Sequence, residues 1–347
     1  MARKRTTRRR RSGWWADLPK DELLDVRLCD LGLAVEGTWL ERPIEIVLGD
    51  LERKRLHKLK PHFWLSEEWF CPDGVAGVAI PFYLAHPRLM RLERSQMLEV
   101  EGGTLREAIQ ILRHELGHAL DSAFGLRRRK RWRELFGCAG TRYPDHYRPN
   151  PASKHYVQHL DHWYAQAHPV EDFAETFAVW LTPRSQWRRR YAGWPALTKL
   201  EYVDELMAEL ADQKPRVRCR ERTDSLPRLR YTLRTFYARK QARFLVGYPT
   251  VYDRELKEIF RADASEQVGE TAAAFLRRNR GEIRRIVAKW TGEYEFALDH
   301  VFKLMIGRCK ELKLRAVDDP RQMRLDFAIL LTVKAMHHLY EREWVAM

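Results

Sequence analysis

His114, Glu115 and His118 are the residues of this 347-residue chain best placed to do chemistry. In His114-Glu115-Leu116-Gly117-His118 the two imidazoles stand four positions apart, so on a helix they share one face. Two ring nitrogens can then reach one metal ion, and the Glu115 carboxylate can take a proton from a water at that ion. The spacing predicts metal-assisted hydrolysis, with zinc as the ion. Five residues alone arise by chance, so the flanking sequence must carry part of the case.

It does. Thr104-Leu105-Arg106-Glu107 reads as a capping box and starts a helix. Leu105, Ala108, Ile109, Leu112, Leu116, Ala119, Leu120 and Ala123 recur with a period near 3.6, and Gly125 is a natural stop. The motif therefore falls inside a helix that can hold both imidazoles rigidly.

A catalytic zinc usually has three protein ligands and an open fourth position. One known pattern places Gly three residues after the second His and another His three beyond. Here those positions hold Asp121 and Phe124, so the third ligand comes from elsewhere. The best source is the stretch from His168 to Leu181. Pro169 suits a first helical turn, the acidic residues after it suit the helix dipole, and Pro183 follows the end. Glu171 and Glu175 are again four apart on one face. Glu171 is expected to bind the metal and Glu175 to accept a hydrogen bond from a ligand His, fixing its tautomer. Asp121, three residues past His118, is too short and too close along the helix to reach the ion well. A supporting contact to a ligand or a capping role is expected of it.

These two helices are similar to the paired motifs of the gluzincins, the zinc peptidases that include thermolysin. Glu171-Asp172-Phe173-Ala174-Glu175-Thr176-Phe177 resembles the second motif of lethal-factor-type toxin proteases, and residues 114–121 resemble their first. More closely, the chain resembles a bacterial family of zinc-binding metallopeptidases over roughly residues 20–210. That resemblance rests on Glu68-Trp69-Phe70-Cys71-Pro72-Asp73-Gly74, on Ile80-Pro81-Phe82-Tyr83-Leu84 and on both metal motifs. It implies a zincin-like fold, with His114, His118 and Glu171 as zinc ligands and Glu115 as general base and acid. It also implies that Tyr164, seven residues before the ligand Glu, steadies the oxyanion. His162 and His168 stay open for that role by analogy with thermolysin-like enzymes, and Tyr143, Tyr147 and Tyr156 lie near in sequence. The implied substrate is a peptide or protein.

The elements that must position these groups read as an α+β domain over 16–213: a small mixed sheet with an edge strand, the motif helix and the second ligand helix. Strands are expected over 44–48, 62–65 and 75–84, with Pro81 marking the last as an edge open to an extended substrate. Residues 214–347 read as an all-α accessory domain, with periodic segments near 226–243, 253–262, 266–289, 294–312 and 320–342. The apolar fraction of 45% supports real cores. No apolar run approaches the ~20 residues of a membrane span.

The net charge is +15, and seven of the first eleven residues are Lys or Arg. Residues 1–15 are expected to be a disordered, solubilising basic tail, with nucleic-acid binding the less favoured reading. No apolar stretch follows the basic start, which argues against a secretory signal. Five scattered cysteines form no Cys-x-x-Cys pair and suggest neither a disulfide framework nor a zinc ribbon, so a reducing cytoplasm is the expected home. Three functions remain in contention. The leading one is a zinc peptidase. The others are a zinc hydrolase of non-peptide amides or esters, and a basic nucleic-acid-associated protein with a degenerate or structural zinc site.

Overall fold

The computed structural model describes residues 13–144, 146–244, 252–262, 269–341 and 344–345. Most of the expected basic tail, residues 1–12, lies outside the described residues. Its last three residues depart from the expectation: Gly13 to Trp15 form a turn, and Trp15 is fully buried with its indole N–H donating to the Leu31 carbonyl at 2.8 Å.

The chain divides into two compact units. The first comprises Met1–Gln96, Val100–Pro144 and Pro149–Tyr237; the second comprises Met97–Glu99, Asp145–Arg148 and Ala238–Met347. Helices dominate, with small two-stranded sheets.

The first unit is organised by two helices that pack directly on each other, the motif helix Leu105–Phe124 and the acidic helix Pro169–Leu181. The capping box forms as its residues dictate. Thr104 accepts from the Glu107 N–H, Glu107 reaches back to the Thr104 N–H, and Gly125 closes the helix in the left-handed conformation at φ 65°. Leu112, Leu116, Ala119, Leu120 and Ala123 are fully buried, as are Phe173, Ala174, Phe177 and Ala178 of the acidic helix. Gly117 lets the two backbones approach closely: a Cβ there would lie 2.8 Å from the Ala174 Cα. Glycine inside a helix costs about 1 kcal/mol relative to alanine. Here it permits the approach that brings the two sets of side chains together.

Three further sequence expectations need correction. Residues 44–48 are not a strand but lie within the helix Glu41–Arg53, where Pro43, Ile44, Val47, Asp50 and Leu51 are buried. The β-branched run suggested a strand, but the spacing of the buried positions is helical. Asp50 of that helix accepts from the Arg113 guanidinium at 2.7 and 2.9 Å, which ties it to the motif helix. The expected edge strand is shorter and is not an edge. Strand β1 (His62–Ser66) pairs in parallel with β2 (Gly77–Pro81), with Trp64 opposite Ala79. On the other side of β2 the Ala79 N–H donates to the Phe70 carbonyl at 2.8 Å, so this strand is flanked on both sides and wholly buried.

The third correction concerns the boundary, expected at 213. Side chains of β1 hold the following segment: Trp64 and Ser66 donate to the carbonyls of Thr223 and Asp224 at 2.9 and 2.7 Å, and the His62 ring meets the Glu221 carbonyl at 2.9 Å. Further along, Phe236 packs edge-on against Phe82. Residues 214–237 thus belong to the first unit.

The second unit is built on the helices Ala272–Thr291, Glu295–Glu311 and Pro320–Glu341, in segments where the periodicity predicts them. Phe275, Leu276, Val301, Phe302, Met305, Phe327 and Leu331 form its core. Thr271 caps the first of these helices and Gly292, at φ 74°, ends it. Among the described residues no helix is long and apolar enough to cross a membrane.

Candidate metal centre

The motif helix carries His114 and His118 one turn apart, and the acidic helix presents Glu171 to both. Glu171 Oε2 lies 3.0 Å from His114 Nε2 and 3.1 Å from His118 Nε2, and the two ring nitrogens are 3.0 Å apart. The three donor atoms form a nearly equilateral triangle. Among the described residues this is the group of metal-ligating side chains so gathered. Adjacent corners of a tetrahedron around zinc at ordinary ligand distances are about 3.3 Å apart, so the triangle fits the ion after opening by roughly 0.3 Å. Two imidazoles and a carboxylate are also a donor set that zinc favours.

The second carboxylate of the acidic helix fixes the first imidazole. Glu175 Oε1 lies 2.8 Å from His114 Nδ1, which places the proton on Nδ1 and turns the Nε2 lone pair toward the other two donors. Glu175 is held in turn by the Leu160 N–H at 2.8 Å and the His159 N–H at 3.3 Å. Burial alone would disfavour a charged His114, but its hydrogen bonds to the Glu171 and Glu175 carboxylates outweigh it and raise its proton affinity well above the ordinary value. Burial likewise opposes ionisation of Glu171, yet the two imidazoles hold its pKa well below the usual carboxylate range. Two buried groups and one half-buried imidazole thus converge on a point that attracts positive charge.

Glu115 is buried at 6% exposure, and its Oε2 is enclosed without a hydrogen-bond partner. Burial raises its pKa against the opposing pull of His114 and His118. A buried carboxylate oxygen with no protein donor beside such a triangle is suited to a water or a substrate group.

Asp121 does not join the donor set. Its oxygens accept from the Arg127 backbone N–H at 2.9 Å and from Arg127 Nε at 2.6 Å, and its carbonyl accepts from the Gly125 N–H. It secures the end of the motif helix, the capping role among those expected. Asp172, beside Glu171, is also turned to structure: burial pushes it up to about 7 even though Lys199 Nζ sits 2.6 Å away.

Tyr164 lies near the triangle, its ring centroid 5.5 Å from that of His114. The residues before it, His162 and Trp163, both have positive φ, 62° and 53°, which costs conformational energy for residues with side chains. The Tyr164 hydroxyl is 3.0 Å from that of Tyr143. Sequence spacing gave Tyr143 no special place, because it sits in the irregular connection between the two helices. His168 is the N-cap of the acidic helix. Its Nδ1 accepts from the Val170 N–H at 3.3 Å and its Nε2 meets the Thr141 carbonyl at 3.0 Å, so both ring nitrogens are used. The His159 ring meets the Gln110 carbonyl at 2.8 Å and packs between the helices, while His155 is exposed.

A family model described as "Putative zinc-binding metallo-peptidase" matches residues 87–192, a span that contains the motif helix, the acidic helix and the connection between them. Neither a curated protein nor a solved structure matches the chain.

Proposed function

We propose that this chain is a zinc-dependent peptidase of the gluzincin type, with a zincin-like first unit that hydrolyses peptide bonds in a peptide or protein substrate. The observation that carries the reading is the triangle of His114 Nε2, His118 Nε2 and Glu171 Oε2, with sides of 3.0 to 3.1 Å. These three residues would hold the ion. A zinc ion so held supplies Lewis acidity for the scissile carbonyl and lowers the pKa of its water to about 7. Glu115 takes the water's proton and hands it to the leaving amine, so one carboxylate is base and then acid. Glu175 keeps the His114 lone pair directed at the ion. A phenol of the Tyr143–Tyr164 pair donates to the oxyanion as it develops. Among the described residues only three side chains gather, which leaves a coordination position for water and favours a catalytic over a structural site. All five cysteines are free thiols, in keeping with work in a reducing cytoplasm.

The test is Glu115→Gln. The variant is expected to keep its zinc and to lose turnover of a mixed peptide library by about 10³-fold, within the range for general acid–base catalysis. Full activity with confirmed metal content would contradict the assignment.

A further inference from the structure

Six large apolar side chains are exposed among the described residues, and five of them lie on two helices of the second unit. Ile286 and Trp290, 45% and 75% exposed, stand one turn apart near the end of the helix Ala272–Thr291. Leu325, Ile329 and Val333, 54%, 53% and 42% exposed, recur at every fourth position of the helix Pro320–Glu341. Residues four apart share a helix face, so each set forms a stripe. The two helices pack on each other. Arg324, beside Leu325, reaches Glu282, one turn before Ile286, at 3.5 Å, and so joins the stripes.

The helix Pro320–Glu341 is apolar on opposite sides. Met323, Phe327 and Leu331 are buried in the core of the unit, while Leu325, Ile329 and Val333 turn outward. A helix that is apolar all round is one that is covered all round. Single exposed apolar residues need no explanation, but a contiguous row marks an interaction surface.

Charge narrows the choice of occupant. Arg285 and Lys289, both exposed, stand next to Ile286 and Trp290, and Lys289 Nζ lies 5.2 Å from the centre of the Trp290 ring. Arg321, also exposed, stands one turn before Leu325. Among the described residues none of these three cations pairs with a carboxylate; Arg285 donates to the Gly281 carbonyl at 3.0 Å. A second copy of this face would bring like charges together, on a chain of net charge +15. Nucleic-acid phosphates would suit the cations but leave the aliphatic stripe against water. Side chains this exposed protrude from the helices instead of lining a groove. Protruding aliphatic residues and a tryptophan, flanked by cations, match the interface of a bilayer that carries negative lipids. Acyl chains would cover the stripes, and headgroup anions would meet Arg285, Lys289 and Arg321.

We propose that this face of the second unit is a peripheral docking surface for an anionic lipid membrane. The face lies on the bilayer and dips its apolar side chains into it without spanning it.

The experiment uses the full chain with vesicles of phosphatidylcholine, alone or with about one third phosphatidylglycerol as the anionic lipid. Readouts are co-sedimentation, thermal midpoint, and quenching of tryptophan emission by lipids brominated in their acyl chains. The wild type should bind the anionic vesicles well above the neutral ones, and the brominated chains should quench its emission. Trp290→Phe should still bind and lose most of that quenching. The double variant Leu325→Ser, Ile329→Ser should partition at least about 10-fold more weakly, since burying one such side chain is worth that much. Arg285→Gln with Lys289→Gln should weaken binding about 10-fold or more at low salt. All the exchanged side chains are exposed, so midpoints should stay near that of the wild type. Should the double serine variant unfold, the quenching and the cation pair decide the matter. Equal binding of all variants without acyl-chain quenching would mean adsorption through basic residues elsewhere and overturns the assignment. Absence of vesicle binding also overturns it, whether the face then holds a second copy, seen as a dimer by light scattering, or an acidic protein. Either result leaves the peptidase reading untouched.

Discussion

In the first unit the buried carboxylates Glu171 and Glu175 face imidazoles; in the second, buried Asp299 faces Arg280, Arg284 and Lys303. Both clusters are compact and both satisfy most of their oxygens. They differ in what the basic partner can become. An imidazole can give up its proton and offer a lone pair, whereas a guanidinium cannot be deprotonated in a protein and has no acceptor. The first cluster can therefore exchange protons for a metal ion. The second can only be an ion pair, and its effect is confined to stability.

Removing one charge from each cluster sharpens this contrast. The larger effect is expected of Glu175→Gln. An amide can offer its N–H₂ to His114 Nδ1 and so favour the tautomer that points a proton, not a lone pair, at the other donors. Zinc affinity should fall about 10- to 100-fold, as is usual for partners behind a ligand histidine. Competition with a chromogenic zinc chelator measures it. An unchanged affinity would mean that the 2.8 Å contact does not set the ring.

Asp299→Asn should leave zinc affinity untouched and weaken the second unit by about 2 kcal/mol, the scale of a charge-assisted hydrogen bond. Hydrogen exchange along the helices Ala272–Thr291 and Glu295–Glu311 would register the loss. Its pH dependence is the smallest and most specific effect. Burial opposes the Asp299 charge, but hydrogen bonds from Arg280 and Arg284 prevail and its pKa lies below the ordinary value. Its stabilisation is therefore fully present above the unfolded pKa of about 3.9 and is lost as pH falls through the lower folded value. Asp299→Asn should remove that acid-sensitive component. Equal acid sensitivity of variant and wild type would refute the account of this cluster.

The sequence made parts of this structure legible because the relevant signals were local. The capping box at Thr104, the stop at Gly125 and Pro169 in a first turn each act within one helical turn, and they frame both site helices as expected. The i, i+4 spacing of His114 and His118, and of Glu171 and Glu175, put each pair on one face. What local signals could not show was how the faces meet. Gly117 reads as a weak point in a helix until Ala174 is seen against it. Residues 44–48 carry a β-branched run, and packing of the buried positions against the motif helix overrides that propensity. The extent of the first unit depends on side chains of β1 reaching carbonyls some 158 residues away. The placing of Tyr143 depends on a stacked ring and two hydroxyls in an irregular connection, which has no period to read.

The central claim is that two helices gather three donor atoms to hold one divalent ion, and calorimetric titration of metal-stripped protein with zinc tests it most directly. The account predicts one zinc ion per chain in the wild type and an affinity at least about 100-fold lower in Glu171→Ala, since loss of a direct ligand should equal or exceed the loss of a supporting partner. Absence of binding to the wild type, or equal affinity in Glu171→Ala, would contradict it.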